Sequence, residues 1–193
     1  MAKLQDFMIS KVRVKLVKTF LASPEEMYYI RQLTRQVDEE INAVRRELIN
    51  MKEAGMLREE KRGNRLYYTF NRAYLFHKEL LGMVAKTTGL GQAILKSSPK
   101  LGKIKFACVS GRFARHMPRL KDMVDLLLVG DIIMPQLTEL VREQEAKLSR
   151  EINYTVMTTD ELEYRKTHGD PFIDRILKGS RIMVIGDEEE LVN

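Results

Sequence analysis

Asn42, Arg45, Arg46 and Asn50 recur at intervals that bring them to one flank of a helix. Asn and Arg are the side chains whose paired groups match adenine and guanine edges in a DNA major groove. A helix that reads bases does so with its N-terminal half, where Asn42, Arg45 and Arg46 lie. Farther on, Lys61, Arg62 and Arg65 surround Gly63-Asn64, and cations on such a tip reach phosphates or a minor groove without reading sequence. The plainer alternative for Arg45, Arg46 and Asn50 is a solvated helix face; the order of the surrounding elements and the basic tip tell against it. Glu39 and Glu40 read first as favourable charges at a helix N-terminus, with base contact by Glu39 the lesser alternative.

The elements that must position these residues can be read from spacing. Val12, Leu16, Phe20 and Leu21, preceded by Phe7 and Met8, give a first amphipathic helix. Ser23-Pro24-Glu25-Glu26 is a helix start signal, so a second helix is expected over 24–36 with Met27, Ile30 and Leu33 inward. Asp38 is then expected to cap a third helix over 39–54, with Ile41, Val44, Leu48 and Met51 on its buried side and Gly55 ending it. Two β-type runs, 56–61 and 66–70, are joined by Arg62-Gly63-Asn64-Arg65, in which Gly63-Asn64 is suited to the positive φ of a tight hairpin. Three helices followed by a hairpin is the winged-helix order. A fourth helix over 72–87 carries Leu75, Phe76, Leu80, Leu81, Met83 and Val84, an apolar face wide enough to be either core or a dimer surface.

The Gly- and Ser-rich stretch 89–102 reads as a linker, with room for a short helix at its centre. Beyond it strands and helices alternate. Strands are expected at 104–109, 123–129, 152–157 and 182–185, and helices at 110–116, 135–148, 159–168 and 171–177. That alternation implies an α/β layer structure with a mixed sheet. The fold class is therefore α+β overall: a winged helix-turn-helix domain at 1–88, a linker at 89–102 and a small α/β domain at 103–193.

Charge divides along the same line. Residues 1–90 hold 17 Lys and Arg against 11 Asp and Glu, residues 91–193 hold 16 of each, and the whole net charge of +6 thus lies in the first half. A basic module beside a neutral one points to a polyanionic partner for the first. Hydrophobic residues at 44% and charged residues at 31% fit a globular chain rather than a disordered one. No apolar run is long enough to cross a bilayer, and the first residues carry no signal-peptide pattern. Cys108 is the only cysteine, which excludes an internal disulfide and a cysteine-based zinc site; a reducing, cytoplasmic setting is expected.

Two resemblances add to this reading. Tyr28 to Leu33, Ala43 to Leu48, Glu53 to Leu57 and Gly63 to Tyr68 look like the arsenical-resistance-repressor class of winged-helix regulators, in order and over nearly the whole module. The resemblance implies a homodimer on double-stranded DNA, and it favours the fourth helix as dimer surface. Many regulators of that class sense metals through Cys or His pairs; this module has no Cys and only His77, so no metal site is expected.

In the second half, Gly111-Arg112-Phe113-Ala114-Arg115 followed by Asp125-Leu126-Leu127 resembles the minimal nucleotidyltransferases. Their chemistry needs two carboxylates two residues apart, sharing Mg²⁺ ions that clamp a triphosphate. Asp125 matches the second, but Met123 stands at the first, Arg112 replaces the phosphate-holding Ser, and the third carboxylate falls at Asn153 or Glu151. One carboxylate does not hold a catalytic pair of Mg²⁺ ions. The resemblance thus implies a transferase outline without catalytic residues or a metal. Gly111, Arg112, Arg115 and Asp125 are left as a candidate vestigial nucleotide or anion site, with His116 and Arg119 nearby. No cofactor is expected; a nucleotide ligand stays open, as does an exposed basic loop with none. The overall expectation is a DNA-binding regulator whose second domain senses a ligand or supports dimerisation. The alternative is an antitoxin-like nucleotidyltransferase that uses Asp122 with Asp125.

Overall fold

The computed structural model describes residues 8, 10–118, 120 and 123–193. Phe7, Arg119 and Asp122 lie outside the described residues. Among the described residues the protein is mixed α and β, with ten helices and two sheets, and it divides after Val84 into two compact units. No helix among those residues is long and apolar enough to cross a membrane.

In the first unit, α1 (Lys11–Ala22) begins at Ser10, whose hydroxyl accepts from the Arg13 N–H, and buries Val14, Leu16, Val17, Phe20 and Leu21. The next helix starts later than expected. Tyr28–Tyr29 forms a short strand, β1, and α2 spans Ile30–Val37. Residues 23–26 make a turn instead, closed by the Glu26 N–H on the Ser23 carbonyl. The reason is aromatic pairing. Tyr28 is buried edge-on to Phe20, its hydroxyl donates to Glu26, and Tyr29 meets Tyr67 across the sheet. Cross-strand aromatic contacts of this kind outweigh a capping signal that no buried face supports.

Asp38 has φ 50° and terminates α2 rather than starting α3. The cap of α3 (Ile41–Glu53) is Glu40, whose carboxylate accepts from the Ala43 N–H. β2 (Leu57–Arg62) and β3 (Arg65–Phe70) pair antiparallel with Arg62 opposite Arg65, and the sheet order is β1-β3-β2. At the hairpin tip only Gly63 has positive φ; Asn64 does not. α4 (His77–Thr87) begins later than expected because Asn71 ties down a turn, donating to the Gly55 carbonyl and accepting from the Ala73 N–H. Leu80, Leu81 and Val84 are buried within the single chain, while Leu75 and Phe76 are exposed.

The expected linker 89–102 is instead helix α5 (Gly89–Leu101). Leu90, Ile94 and Leu101 belong to the core of the second unit, and that burial overrides a loop-like composition. Pro99 is tolerated in the last turn because the Ser98 hydroxyl donates to the Leu95 carbonyl that a proline leaves without an N–H partner. Next come β4 (Gly102–Ser110), α6 (Gly111–Ala114), β5 (Leu126–Ile132), α7 (Met134–Leu148) and β6 (Tyr154–Met157). They are followed by α8 (Thr159–Thr167), α9 (Pro171–Lys178), β7 (Arg181–Ile185) and α10 (Glu188–Val192).

The sheet order is β6-β5-β4-β7; β4 runs antiparallel to β5 and β7, and β5 runs parallel to β6. The sheet is therefore mixed. Alternation along the strands supplies two cores. Ala107, Val109, Leu126 and Leu128 pack with residues of α5 and α7. Phe106, Cys108, Leu127 and Val129 pack with Leu162 of α8, Ile173 of α9 and Leu191 of α10.

The orientation of α3 has a direct test. Leu48 is fully buried and Asn50 exposed. Leu48→Ala is expected to lower the unfolding free energy of the first unit by about 2–5 kcal/mol. Asn50→Ala should stay within about 0.5 kcal/mol of the parent in the same urea titration. Equal losses for both would mean that α3 presents a different face.

Candidate functional site

On α3 the buried stripe is Val44, Leu48 and Met51, each fully shielded from solvent. A helix that buries one side this completely must show the other, and Asn42, Arg45, Arg46 and Asn50 are all exposed. Ile41, expected in the stripe, is only half-buried at the helix start. The roll of α3 about its axis is further held by Glu47. This side chain is buried, and Arg13 of α1 donates to its carboxylate at 2.9 Å. Arg45 and Arg46 form no ion pair among the described residues. At the same end of the helix, Glu40 is held below the usual carboxylate range by the Asn42 and Ala43 N–H groups. Glu39 is engaged with Lys15 at 2.6 Å, while the Lys15 ammonium also donates to the Val37 carbonyl at the end of α2. Its carboxylate is thereby taken up within the module.

The three hairpin cations differ from one another. Arg62 is paired with Glu60 at 2.8 Å, so its charge is largely offset. Lys61 is exposed and unpaired among the described residues. The Arg65 guanidinium lies 4.9 Å from the centre of the Tyr29 ring, which holds it without consuming its charge. Arg31 and Arg35 of α2 are also exposed and form no ion pair among the described residues. Their spacing of four on one helix was the available signal in the sequence.

In the second unit Asp125 immediately precedes β5 and is 3% exposed. Its carboxylate accepts from the Asn153 N–H at 3.1 Å and from Arg150 at 3.4 Å, and the Arg150 guanidinium lies over the Phe113 ring. The Asp125 N–H in turn donates to the Asn153 carbonyl at 2.7 Å, and the Asn153 amide donates to the Met123 carbonyl. Asp125 thus ties the entry of β5 to the segment before β6, and this knot is why β5 begins at Leu126 rather than at Met123. Among the described residues no three His, Cys, Asp or Glu side chains gather as metal ligands.

Gly111 packs so closely on Ser180 that a Cβ would fall 2.2 Å from the Ser180 hydroxyl, and its N–H donates to the Ser180 carbonyl at 2.7 Å. Arg115 donates to the same hydroxyl at 3.1 Å. Arg112 and Asp125, together with Cys108, Leu127, Phe172, Ile176 and Arg175, line a cavity of about 220 Å³. The structure therefore places Arg112 and Asp125 at one cavity, with Gly111 and Arg115 engaged on Ser180 beside it. Phe172 ends the segment Gly169-Asp170-Pro171-Phe172, which also resembles the nucleotidyltransferases, whereas Arg175 and Ile176 are distant in sequence from Arg112 and Asp125 and carry no motif.

Comparison with protein-family models, with curated proteins and with solved structures finds no match to this chain.

Burial pushes the Cys108 thiol up to about 11. At pH 8 only roughly one thiol in a thousand is ionised at such a value. Iodoacetamide should therefore label native Cys108 at least ~100-fold more slowly than the urea-unfolded chain. Because the unfolded thiol ionises first, this group's stabilisation is complete below about pH 9 and is lost as pH rises toward 11. A Cys108→Ser variant should lack that component of the alkaline decline in a pH series of urea titrations. Rapid labelling of the native protein at pH 8 would contradict the buried placement.

Proposed function

We propose that the chain is a DNA-binding transcriptional regulator. Its first unit is a winged helix in which α3 enters the major groove and the β2–β3 hairpin is the wing. The observation that carries this reading is the exposed face of α3, where Asn42, Arg45, Arg46 and Asn50 stand opposite a fully buried stripe and the two arginines form no ion pair among the described residues. Asn and Arg can bond adenine and guanine edges. Lys61 and Arg65 supply cations for phosphates or the minor groove, with Arg62 contributing less because Glu60 offsets it. Arg31 and Arg35 are placed to hold the backbone as α2 crosses it. The positive excess confined to residues 1–90 supports a polyanionic partner. A homodimer is what the resemblance of the module to dimeric repressors implies, and Leu75 and Phe76 are among the exposed apolar residues that could serve it.

The second unit is read as a nucleotidyltransferase-like domain without transferase activity, serving ligand sensing or dimerisation. What supports this is the engagement of Asp125: a carboxylate already bound by Arg150 and Asn153 is poorly placed to hold Mg²⁺.

Selection from random duplexes followed by filter binding tests the reading. Arg45→Ala and Arg46→Ala should each cost about 1–3 kcal/mol on the selected duplex and relax its sequence preference. Lys61→Ala should weaken all duplexes alike and reduce the slope of log K against log salt by about 0.9. Arg62→Ala should do less than Lys61→Ala. Binding that ignores salt and all four substitutions would sink the proposal.

A further inference from the structure

The cavity between the sheet and α9 has a chemistry distinct from that of a metal–triphosphate site. Its walls are largely apolar: Cys108 and Leu127 from the sheet, Met123 before it, and Phe172 and Ile176 from α9. Three arginines also line it, Arg112, Arg175 and Arg181. The Arg112 Nε is shielded from solvent and has no hydrogen-bond partner among the described residues, although another nitrogen of that guanidinium donates to the Pro118 carbonyl at 3.1 Å. Arg175 forms no ion pair or side-chain hydrogen bond among the described residues. The third arginine, Arg181, donates through one nitrogen to the carbonyls of Ile176, Leu177 and Gly179 and is ion-paired with Glu188 at 3.0 Å, which takes up its charge, although its Nε, like that of Arg112, is buried without a hydrogen bond among the described residues. Asp125 is compensated by Arg150, so it offers no carboxylate to a cation and does not cancel Arg112.

A buried donor without an acceptor is costly and calls for an anionic or carbonyl oxygen. Size restricts the choice further. An apolar cavity of about 150 Å³ takes a benzene ring. At about 220 Å³ this one accommodates a ring or short branched chain with one small anionic head. We propose that this cavity binds a small aromatic or branched aliphatic carboxylate without a metal ion, the carboxylate accepting from Arg112 and Arg175 and the apolar body lying against Leu127, Phe172 and Ile176. The site rests on the regulator reading only for its purpose, since it names the effector class the second unit would sense. The binding itself can be measured without DNA, so failure here leaves duplex recognition untouched and failure of duplex recognition leaves this site untouched.

The test uses the full chain with phenylacetate and isovalerate as probes. Benzyl alcohol supplies the ring without the charge, acetate supplies the charge without the body, and MgATP represents the triphosphate class. Two readouts are taken: calorimetric binding, and the rate at which methyl methanethiosulfonate modifies Cys108, the sole cysteine and a wall of the cavity. The expected result is saturable binding of phenylacetate or isovalerate, at least tenfold tighter than either partial probe, with modification of Cys108 slowed at least fivefold. Arg175→Gln, at an exposed position that leaves the fold intact, should weaken binding at least fivefold, and Arg112→Gln at least tenfold. Three outcomes would overturn the proposal. They are no saturable binding of either acid, binding that leaves Cys108 unprotected and ignores both arginine variants, or tighter protection of Cys108 by MgATP than by the acids.

Discussion

Val44, Leu48 and Met51 leave α3 only one way to lie, because each is fully buried and together they occupy a single side of the helix. The Arg13–Glu47 pair adds a directional constraint. Its carboxylate is buried and its partner comes from α1, so rolling α3 would strand a charge out of water. The polar residues opposite are exposed as a consequence of what the helix buries. Small adjustments at the ends of α3, such as Glu40 capping and Lys15 drawing in Glu39, clear the N-terminal turn of free carboxylates.

The second unit follows the same economy in its polar groups. Asp125 is the buried acid from which the entry to β5 is built, and its partners come from the segment that precedes β6. That segment also delivers Arg150 onto Phe113, so one knot joins β5, the approach to β6 and α6. A carboxylate with so many structural duties leaves the neighbouring cavity with a positive and apolar character. The two arginines there are what the sheet and α9 leave uncompensated.

Much of this was legible in the sequence, for physical reasons that particular residues make plain. The face of α3 could be read because Val44, Leu48 and Met51 sit at helical spacing, and the hairpin because a two-residue Gly-Asn loop lies between β-type runs. The start of α2 could not, since Ser23-Pro24-Glu25-Glu26 is a sound local signal that loses to a tertiary event, the pairing of Tyr28 and Tyr29 with Tyr68 and Tyr67. α5 was hidden behind glycine, serine and proline, each of which the structure accommodates: Gly91 because a Cβ would strike the Ala85 carbonyl, Pro99 because Ser98 covers the exposed carbonyl. The cavity was legible only through Arg112 and Asp125, as its remaining walls come together by long-range packing.

On the proposed reading the exposed face of α3 is the surface that meets DNA. Amide chemical-shift mapping of the full chain titrated with a selected duplex tests it most directly. The account predicts that the largest perturbations fall at Asn42, Arg45, Arg46 and Asn50, followed by Lys61 and Arg65, with the buried Leu48 and the α9 cavity little changed. Perturbations concentrated in residues 103–193, or none at the exposed face of α3 under saturating duplex, would contradict it.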